Sequence, residues 1–255
     1  MTFIHALILG IVEGITEFLP ISSTGHLVLT SHILGLPESD FLKTFEIAIQ
    51  LGAILAALIL YWRALLLDRR MLAKTVVAFL PTAALGFLAY PLVKVMLGRP
   101  TIVVWSLLGG GILLIVLERV TRNTTVTRRE VQEISFWQAF LIGSVQAISM
   151  VPGVSRSAAT IIAGLMMGIG RKAIVEFSFL LAVPTMAAAT GYDLLKSYRQ
   201  FTDAQFDLLA VGFGVSFLMA LVAIKALLGY VEHHTFVAFG VYRIVLAIAF
   251  TAWAL

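Results

Sequence analysis

Twice in this chain an apolar run of membrane length is broken near its centre by a proline and a cluster of hydroxyls, first between Ala6 and His26 and again between Ala139 and Thr160. A helix interrupted at membrane depth leaves backbone N–H and C=O groups without helical partners, and in hydrocarbon such groups survive only where protein or a water-lined cavity satisfies them. The chain must therefore fold so that other helices wrap both interruptions. The two stretches also read as divergent copies. Aligning Ala6 with Ala139 pairs Gly10 with Gly143, Glu13 with Gln146 and Ile15 with Ile148, and closing one gap pairs Pro20 with Pro152 and Ser23 with Ser155. Broken segments in repeated halves are how many transporter-type membrane proteins build midplane sites.

Composition agrees with the membrane reading, since 60% hydrophobic residues, 13% charged residues and a mean hydropathy of +1.00 lie outside the range of soluble globular chains. The absence of cysteine excludes a disulfide framework, a thiolate metal site and a thiol nucleophile. His5, Glu13 and Glu17 interrupt the first apolar run, so the N-terminal segment is expected to belong to the mature fold and not to a cleaved signal. A net charge of +4 does not point to nucleic acid, because the basic residues sit in short loops where membrane topology accounts for them.

Six runs are long enough to cross the bilayer as helices, about 44–62, 75–97, 101–118, 173–192, 207–228 and 235–255. The two broken segments, about 3–34 and 135–168, are too polar at their centres to face lipid and read as re-entrant helical hairpins. The expected fold is an all-α polytopic membrane protein in one domain spanning 1–255, made of two repeats, about 1–120 and 134–255, each a hairpin plus three spans. An odd number of crossings inverts the second repeat relative to the first. Phe45-Glu46 and Val175-Glu176 extend the similarity into the next span, and Arg119 to Glu133 is the longest polar loop.

On that topology one face carries Arg63, Arg69, Arg70, Lys74, Arg119, Arg122, Arg128, Arg129, Arg171, Lys172 and Lys225, and the other Lys43, Lys94, Arg99, Lys196 and Arg199. The richer face is expected to be cytoplasmic, with both termini and the mouth of the first hairpin outside and the second hairpin entering from inside.

In the first hairpin Glu13 and Glu17 are four residues apart and stack on one helix face. Two neighbouring carboxylates in a low-dielectric pocket do not both ionise cheaply, so either one keeps its proton or a divalent cation neutralises both. Pro20 stops the helix, and Ser22, Ser23 and Thr24 supply hydroxyls where the next helix begins and its free N–H groups attract phosphate. His26 adds a side chain suited to proton transfer or to attack on phosphorus. The second hairpin offers Pro152-Gly153-Val154-Ser155-Arg156-Ser157 and Thr160, and the guanidinium fork of Arg156 matches phosphate oxygens two at a time. Carboxylates, imidazole, hydroxyls and one Arg together suit an anionic phosphorylated substrate.

Several residues have plainer readings. Ser and Thr after a proline are often only caps, and Arg156 can serve as counter-ion to a Glu. His5, His32, His233 and His234 read as interfacial, and Glu46 and Glu176 as helix-start carboxylates that favour the dipole. Gly109-Gly110-Gly111 reads as close helix packing, and Arg243 must find a partner that the sequence does not identify.

The run from Glu13 through Glu17 and Pro20 to His26, together with Pro152-Gly-Val-Ser-Arg156-Ser, resembles the undecaprenyl pyrophosphate phosphatase family of the bacitracin-resistance type over nearly the whole chain. The resemblance implies a bacterial inner-membrane enzyme that hydrolyses undecaprenyl pyrophosphate to undecaprenyl phosphate and inorganic phosphate, with a site open to the periplasm and a divalent cation, Mg²⁺ or Ca²⁺. By the same resemblance Glu17 is the key carboxylate, Glu13 its partner in metal or proton handling, and His26 or Ser23 the nucleophile or base. Arg156 grips the pyrophosphate, assisted by Ser155 and Thr160, with Ser22, Thr24 and Ser157 lining the pocket. One departure is Ala158, where the family usually has Gly. Whether Ser23, His26 or a water activated by Glu17 attacks stays open, as does assembly into a homo-oligomer. A transporter or flippase for an anionic or phosphorylated lipid is the alternative from another class.

Overall fold

The computed structural model describes residues 1–37, 39–96, 99–121, 130–197 and 203–254, with the side chains of 90, 91, 93–95, 192–197, 203, 204, 253 and 254 outside the description, and the described residues form ten α-helices. They are α1 (Phe3–Thr16), α2 (Ser23–Ile33), α3 (Asp40–Leu66), α4 (Arg69–Met96), α5 (Pro100–Thr121), α6 (Phe136–Gln146), α7 (Arg156–Met166), α8 (Arg171–Ser197), α9 (Asp203–His233) and α10 (Val237–Ala254). No strand occurs among the described residues. Short 3₁₀ turns, Val131–Glu133 and Ala147–Met150, lead into α6 and away from it.

Five helices, α3, α4, α5, α8 and α9, are long and apolar enough to cross a membrane. This is a multi-pass membrane architecture. The sixth expected crossing coincides with α10, which is apolar but shorter, Val237–Ala252 over its described residues. The helices run several residues beyond the apolar windows read from sequence, because polar ends such as Asp40-Phe-Leu-Lys continue the helix outside the hydrocarbon-like stretch. Of the basic residues used to orient the chain, Arg122, Arg128, Arg129 and Arg199 lie outside the described residues, and of Lys94 and Lys196 only the backbone is described.

The halves interlock. Both start with two short helices separated by a non-helical turn and continue with three further helices. The first short helix of each half packs on the second long helix of the other: α1 lies on α9, and α6 on α4. Like elements also meet across the halves, α3 with α8 and α5 with α10. Close approach is set by glycine, as is usual where helices pack without a hydrophobic drive between them. A Cβ on Gly10 would sit 2.7 Å from the Gly212 carbonyl of α9, and one on Gly143 would collide with the Ala78 carbonyl of α4. Gly10 and Gly143 are the very residues that the sequence alignment pairs.

Polar ties fix the element ends. Ser135 and Gln138 form a capping box at the start of α6, as Thr2 and His5 do for α1. Glu118, at the end of α5, receives two hydrogen bonds from Arg171 at 3.0 and 2.6 Å and one from the Phe236 N–H at 2.9 Å, which anchors the entry to α10 against α5 and α8. The main core lies between α3, α7, α8 and α9, with Phe177, Phe179 and Ile161 fully enclosed.

Packing this tight gives a test. Gly143→Ala is expected to lower the thermal midpoint in detergent by the equivalent of about 1–3 kcal/mol through overpacking. Gly229→Ala, with open space around its Cβ position, is expected to leave the midpoint unchanged or raise it. Equal midpoints for the two variants would contradict the glycine-mediated contact of α6 with α4.

Candidate active site

The polar residues of both hairpins are brought together by one backbone device used twice. α1 ends at Thr16, yet Glu17 keeps helical geometry and its N–H donates to the Glu13 carbonyl at 2.9 Å. Glu13 and Glu17 therefore stay one turn apart, as their spacing predicts, and both are buried. The chain turns over Phe18–Ile21 and enters α2 through Ser22, whose φ is 73° and whose Oγ accepts from the Gly25 N–H at 3.4 Å. The second hairpin repeats this: Ser155 has φ 77°, its Oγ accepts from the Ala158 N–H at 3.2 Å, and α7 follows. These are the two non-glycine residues with positive φ among the described residues, a conformation that costs roughly 1–3 kcal/mol each and gathers at functional sites.

The matching caps correct the alignment of the copies. Ser22 and Ser155 are as far apart in sequence as Ala6 and Ala139, so the frame runs through without a gap. Ser23 is thereby opposite Arg156, not Ser155. Matching Pro20 with Pro152 requires a gap, but cap geometry sets where a helix starts, and a proline one residue earlier or later in the turn does not change it.

With that register the two matched positions converge on one carboxylate. Ser23 Oγ donates to Glu17 Oε2 at 2.5 Å, and Arg156 Nη2 lies 3.4 Å from Glu17 Oε1. Glu17 stands at the C-terminal end of α1 and Arg156 at the first position of α7, each with the sign that the adjacent helix dipole disfavours. Each compensates the other across the hairpins. Arg156 Nη1 also donates to the Ser178 carbonyl at 2.8 Å and lies 3.2 Å from Ser178 Oγ, while the guanidinium carbon is 5.7 Å from the centre of the Phe18 ring.

The remaining residues divide between chemistry and support. His26 Nδ1 is 2.8 Å from the Ser22 carbonyl, and a carbonyl only accepts, so that nitrogen carries hydrogen. In the neutral ring Nε2 then accepts from the Tyr242 hydroxyl at 2.7 Å, with the two rings stacked at 5.5 Å. Ser157 is fully buried and donates to the Phe18 carbonyl at 2.8 Å, tying α7 to the turn of the first hairpin. Thr160, also fully buried, is 2.7 Å from Ser178 Oγ and 2.9 Å from the Ser157 carbonyl, so it supports Arg156 through Ser178. Ser22 and Ser155 act as caps, and Thr24 lies half-buried on the first turn of α2. Ser178 and Tyr242 escaped the sequence reading. A single hydroxyl inside an apolar helix carries no spacing signal, and the one hint was that Tyr242 precedes the unexplained Arg243.

Three polar atoms in this cluster are buried and lack a hydrogen-bond partner among the described residues: both carboxylate oxygens of Glu13, and Nε of Arg156. Glu17 and Glu46 are the carboxylates near enough to repel Glu13, and Arg156 is the cation near enough to attract it. No group of three or more His, Cys, Asp and Glu that could hold a metal ion gathers among the described residues, so the carboxylates open to a cation here are Glu13 and Glu17. All-oxygen donors of that kind fit a hard divalent ion whose other ligands are water and phosphate.

The comparison with known proteins points the same way. The family model for bacitracin resistance protein BacA matches residues 6–249. The chain is 49% identical over 253 residues to the undecaprenyl-diphosphatase of Sulfurihydrogenibium sp., covering 99% of this chain and 100% of that one. It is 48% identical to the undecaprenyl-diphosphatase of Bdellovibrio bacteriovorus, covering 97% of this chain and 94% of that one, and 48% identical to that of Aquifex aeolicus over the whole of both. A match across nearly the full length, carrying both broken hairpins, places this chain in the bacitracin resistance protein BacA family.

Proposed function

We propose that this chain hydrolyses undecaprenyl pyrophosphate to undecaprenyl phosphate and inorganic phosphate, the reaction for which its relatives are named. One observation carries the reading at the level of residues: of the five buried side-chain atoms without a hydrogen-bond partner among the described residues, three, a guanidinium N–H and two carboxylate oxygens, fall in a single cluster, the others being Gln146 Oε1 and Ser216 Oγ. The donor suits a phosphate oxygen, and the acceptors suit a cation that accompanies pyrophosphate.

Ser23 is the attacking group we assign, because its hydroxyl already donates to Glu17, which can take the proton, whereas the acceptor nitrogen of His26 is taken by Tyr242. Arg156 holds the terminal phosphate by its free Nε–H and faces the charge spread over the equatorial oxygens. Ser23 Oγ attacks the terminal phosphorus as its proton passes to Glu17. The bond from phosphorus to the bridging oxygen breaks, and undecaprenyl phosphate leaves with the electron pair. Water then attacks the phosphoserine while the departing Ser23 Oγ takes back the proton held on Glu17; the carboxylate so freed receives the water's proton and passes it to solvent as orthophosphate is released. His26, its Nδ1–H held by Ser22 and its Nε2 occupied by Tyr242, orders the start of α2 beside Ser23. A divalent cation, Mg²⁺ or Ca²⁺, held by Glu13 and Glu17, would neutralise pyrophosphate charge and polarise its oxygens.

The architecture we propose around this site is a pair of inverted repeats with six crossings, α10 being the sixth. The exchange of partners between halves, α1 on α9 against α6 on α4, supports it. The first hairpin then opens to the periplasm, where both termini lie, and the prenyl tail stays among the helices.

Phosphate release from a polyprenyl pyrophosphate by the purified protein tests the chemistry. Glu17→Ala and Arg156→Ala are each expected to lower kcat by at least about 10²-fold, the scale for losing a positioned charge at a transition state. Unimpaired turnover in both defeats the reading. Chelator is expected to lower release by about tenfold or more, with Mg²⁺ or Ca²⁺ restoring it and Glu13→Gln restored less well. A rate indifferent to chelator removes the cation. For the topology, the lack of native cysteine permits single-cysteine labelling in intact cells. Pro37→Cys is expected to react with an impermeant maleimide, and Leu67→Cys only after permeabilisation. Labelling of both from one side sinks the orientation.

A further inference from the structure

Arg243 is fully buried in α10 and has no part in the chemistry above. A charge so placed is costly unless matched, and here all five guanidinium N–H groups find carbonyl oxygens. Nη1 donates to Pro20 at 3.3 Å and to Val154 at 2.9 Å. Nη2 donates to Gly153 at 3.0 Å and to Ser106 at 2.9 Å, and Nε to Leu107 at 3.3 Å. The acceptors come from three separate pieces of chain: the turn of the first hairpin, the turn of the second, and the middle of α5.

The glycine run explains how the guanidinium reaches them. Any Cβ on Gly110 would run into the Arg243 guanidinium, and one on Gly111 would lie 2.7 Å from the Gly240 carbonyl and 3.2 Å from Arg243 Cβ. Gly109 has open space where its Cβ would be. So Gly110 is a notch cut in α5 for Arg243. Pro20 lies three residues before Ser23, and Gly153 and Val154 lie three and two before Arg156. Whatever sets the separation of those carbonyls sets the separation of Ser23 and Arg156, the two groups that meet on Glu17.

We infer that Arg243, seated in the Gly110 notch, is a positioning residue that clamps the two hairpin turns together and thereby holds Ser23 and Glu17 in register with Arg156. This rests on the phosphatase reading for its consequence in turnover, though not for its geometry. Lysine cannot replace it, because an ammonium offers three donors from one point and cannot span acceptors on three chain segments. A displacement of about 1 Å between reacting groups can cost about 10²-fold in rate.

Two readouts test the clamp. The first is kcat and KM for phosphate release by Arg243→Lys, Gly110→Ala and Gly109→Ala, each checked for folding by its thermal midpoint. Arg243→Lys is expected to lose about 10²-fold in kcat with KM changed less than about threefold, Gly110→Ala to follow in the same direction, and Gly109→Ala to match the parent. The second needs no activity: spin labels on the exposed pair Ile15→Cys and Ile148→Cys, in a chain without native cysteine, report the distance between the hairpins. One narrow distance is expected in the parent, broadened by Arg243→Lys and by Gly110→Ala. Should Arg243→Lys not fold, Gly110→Ala decides alone. Parent-like kcat in the folded variants, a kcat loss without broadening, or an equal loss in Gly109→Ala overturns the clamp. A parent that releases no phosphate overturns the hydrolase reading instead, while the distances still judge the clamp.

Discussion

Backbone that leaves a helix inside a membrane must find hydrogen-bond partners without help from water, and in this protein five carbonyl oxygens are met by one guanidinium. Pro20, Gly153 and Val154 belong to turns that no helix completes. Arg243 supplies the donors those turns lack, and the carbonyls supply the negative ends that a buried cation requires. Each is costly alone; together they allow two broken helices to end beside one another in the protein interior.

On this frame, a single backbone device yields unlike chemistry. Ser22 and Ser155 share a positive φ and a cap, so the following residues, Ser23 and Arg156, leave the backbone in equivalent ways and reach the same carboxylate from opposite halves. One turn earlier the copies differ again. Gln146 Nε2 donates to Thr82 at 3.0 Å and to Thr185 at 3.1 Å, whereas both oxygens of its counterpart Glu13 have no hydrogen-bond partner among the described residues. The second half spends its polar group on holding α6 to α4 and α8. The first half places a carboxylate without such partners at the matching position.

Much of this was legible in the chain itself. Hydropathy defined the long helices because burial in lipid demands unbroken apolar length, and the Glu13 and Glu17 spacing survived because Glu17 keeps helical geometry past the end of α1. Motif spacing also named the residues that meet at Glu17. Ser155 and Thr160, read as assisting the substrate, and Ser157, read as lining the pocket, make structural hydrogen bonds that no spacing announced, since a hydroxyl near a helix start looks the same whether it faces a ligand, caps the helix or ties two segments. Motif spacing also matched Ser23 with the wrong partner, because proline is a poorer ruler of register than a cap.

By itself, then, the sequence determined that the chain crosses a membrane, that two interrupted segments must be wrapped by helices, and which acidic and basic side chains those segments carry; these follow from local composition and period. Only the tertiary structure decided that Ser23 and Arg156 share Glu17, that Ser178 and Tyr242 hold Arg156 and His26, and that Arg243 and Gly110 answer each other. Those are contacts between residues far apart in the chain, and their geometry depends on how helices from the two halves pack, which no local pattern of residues encodes.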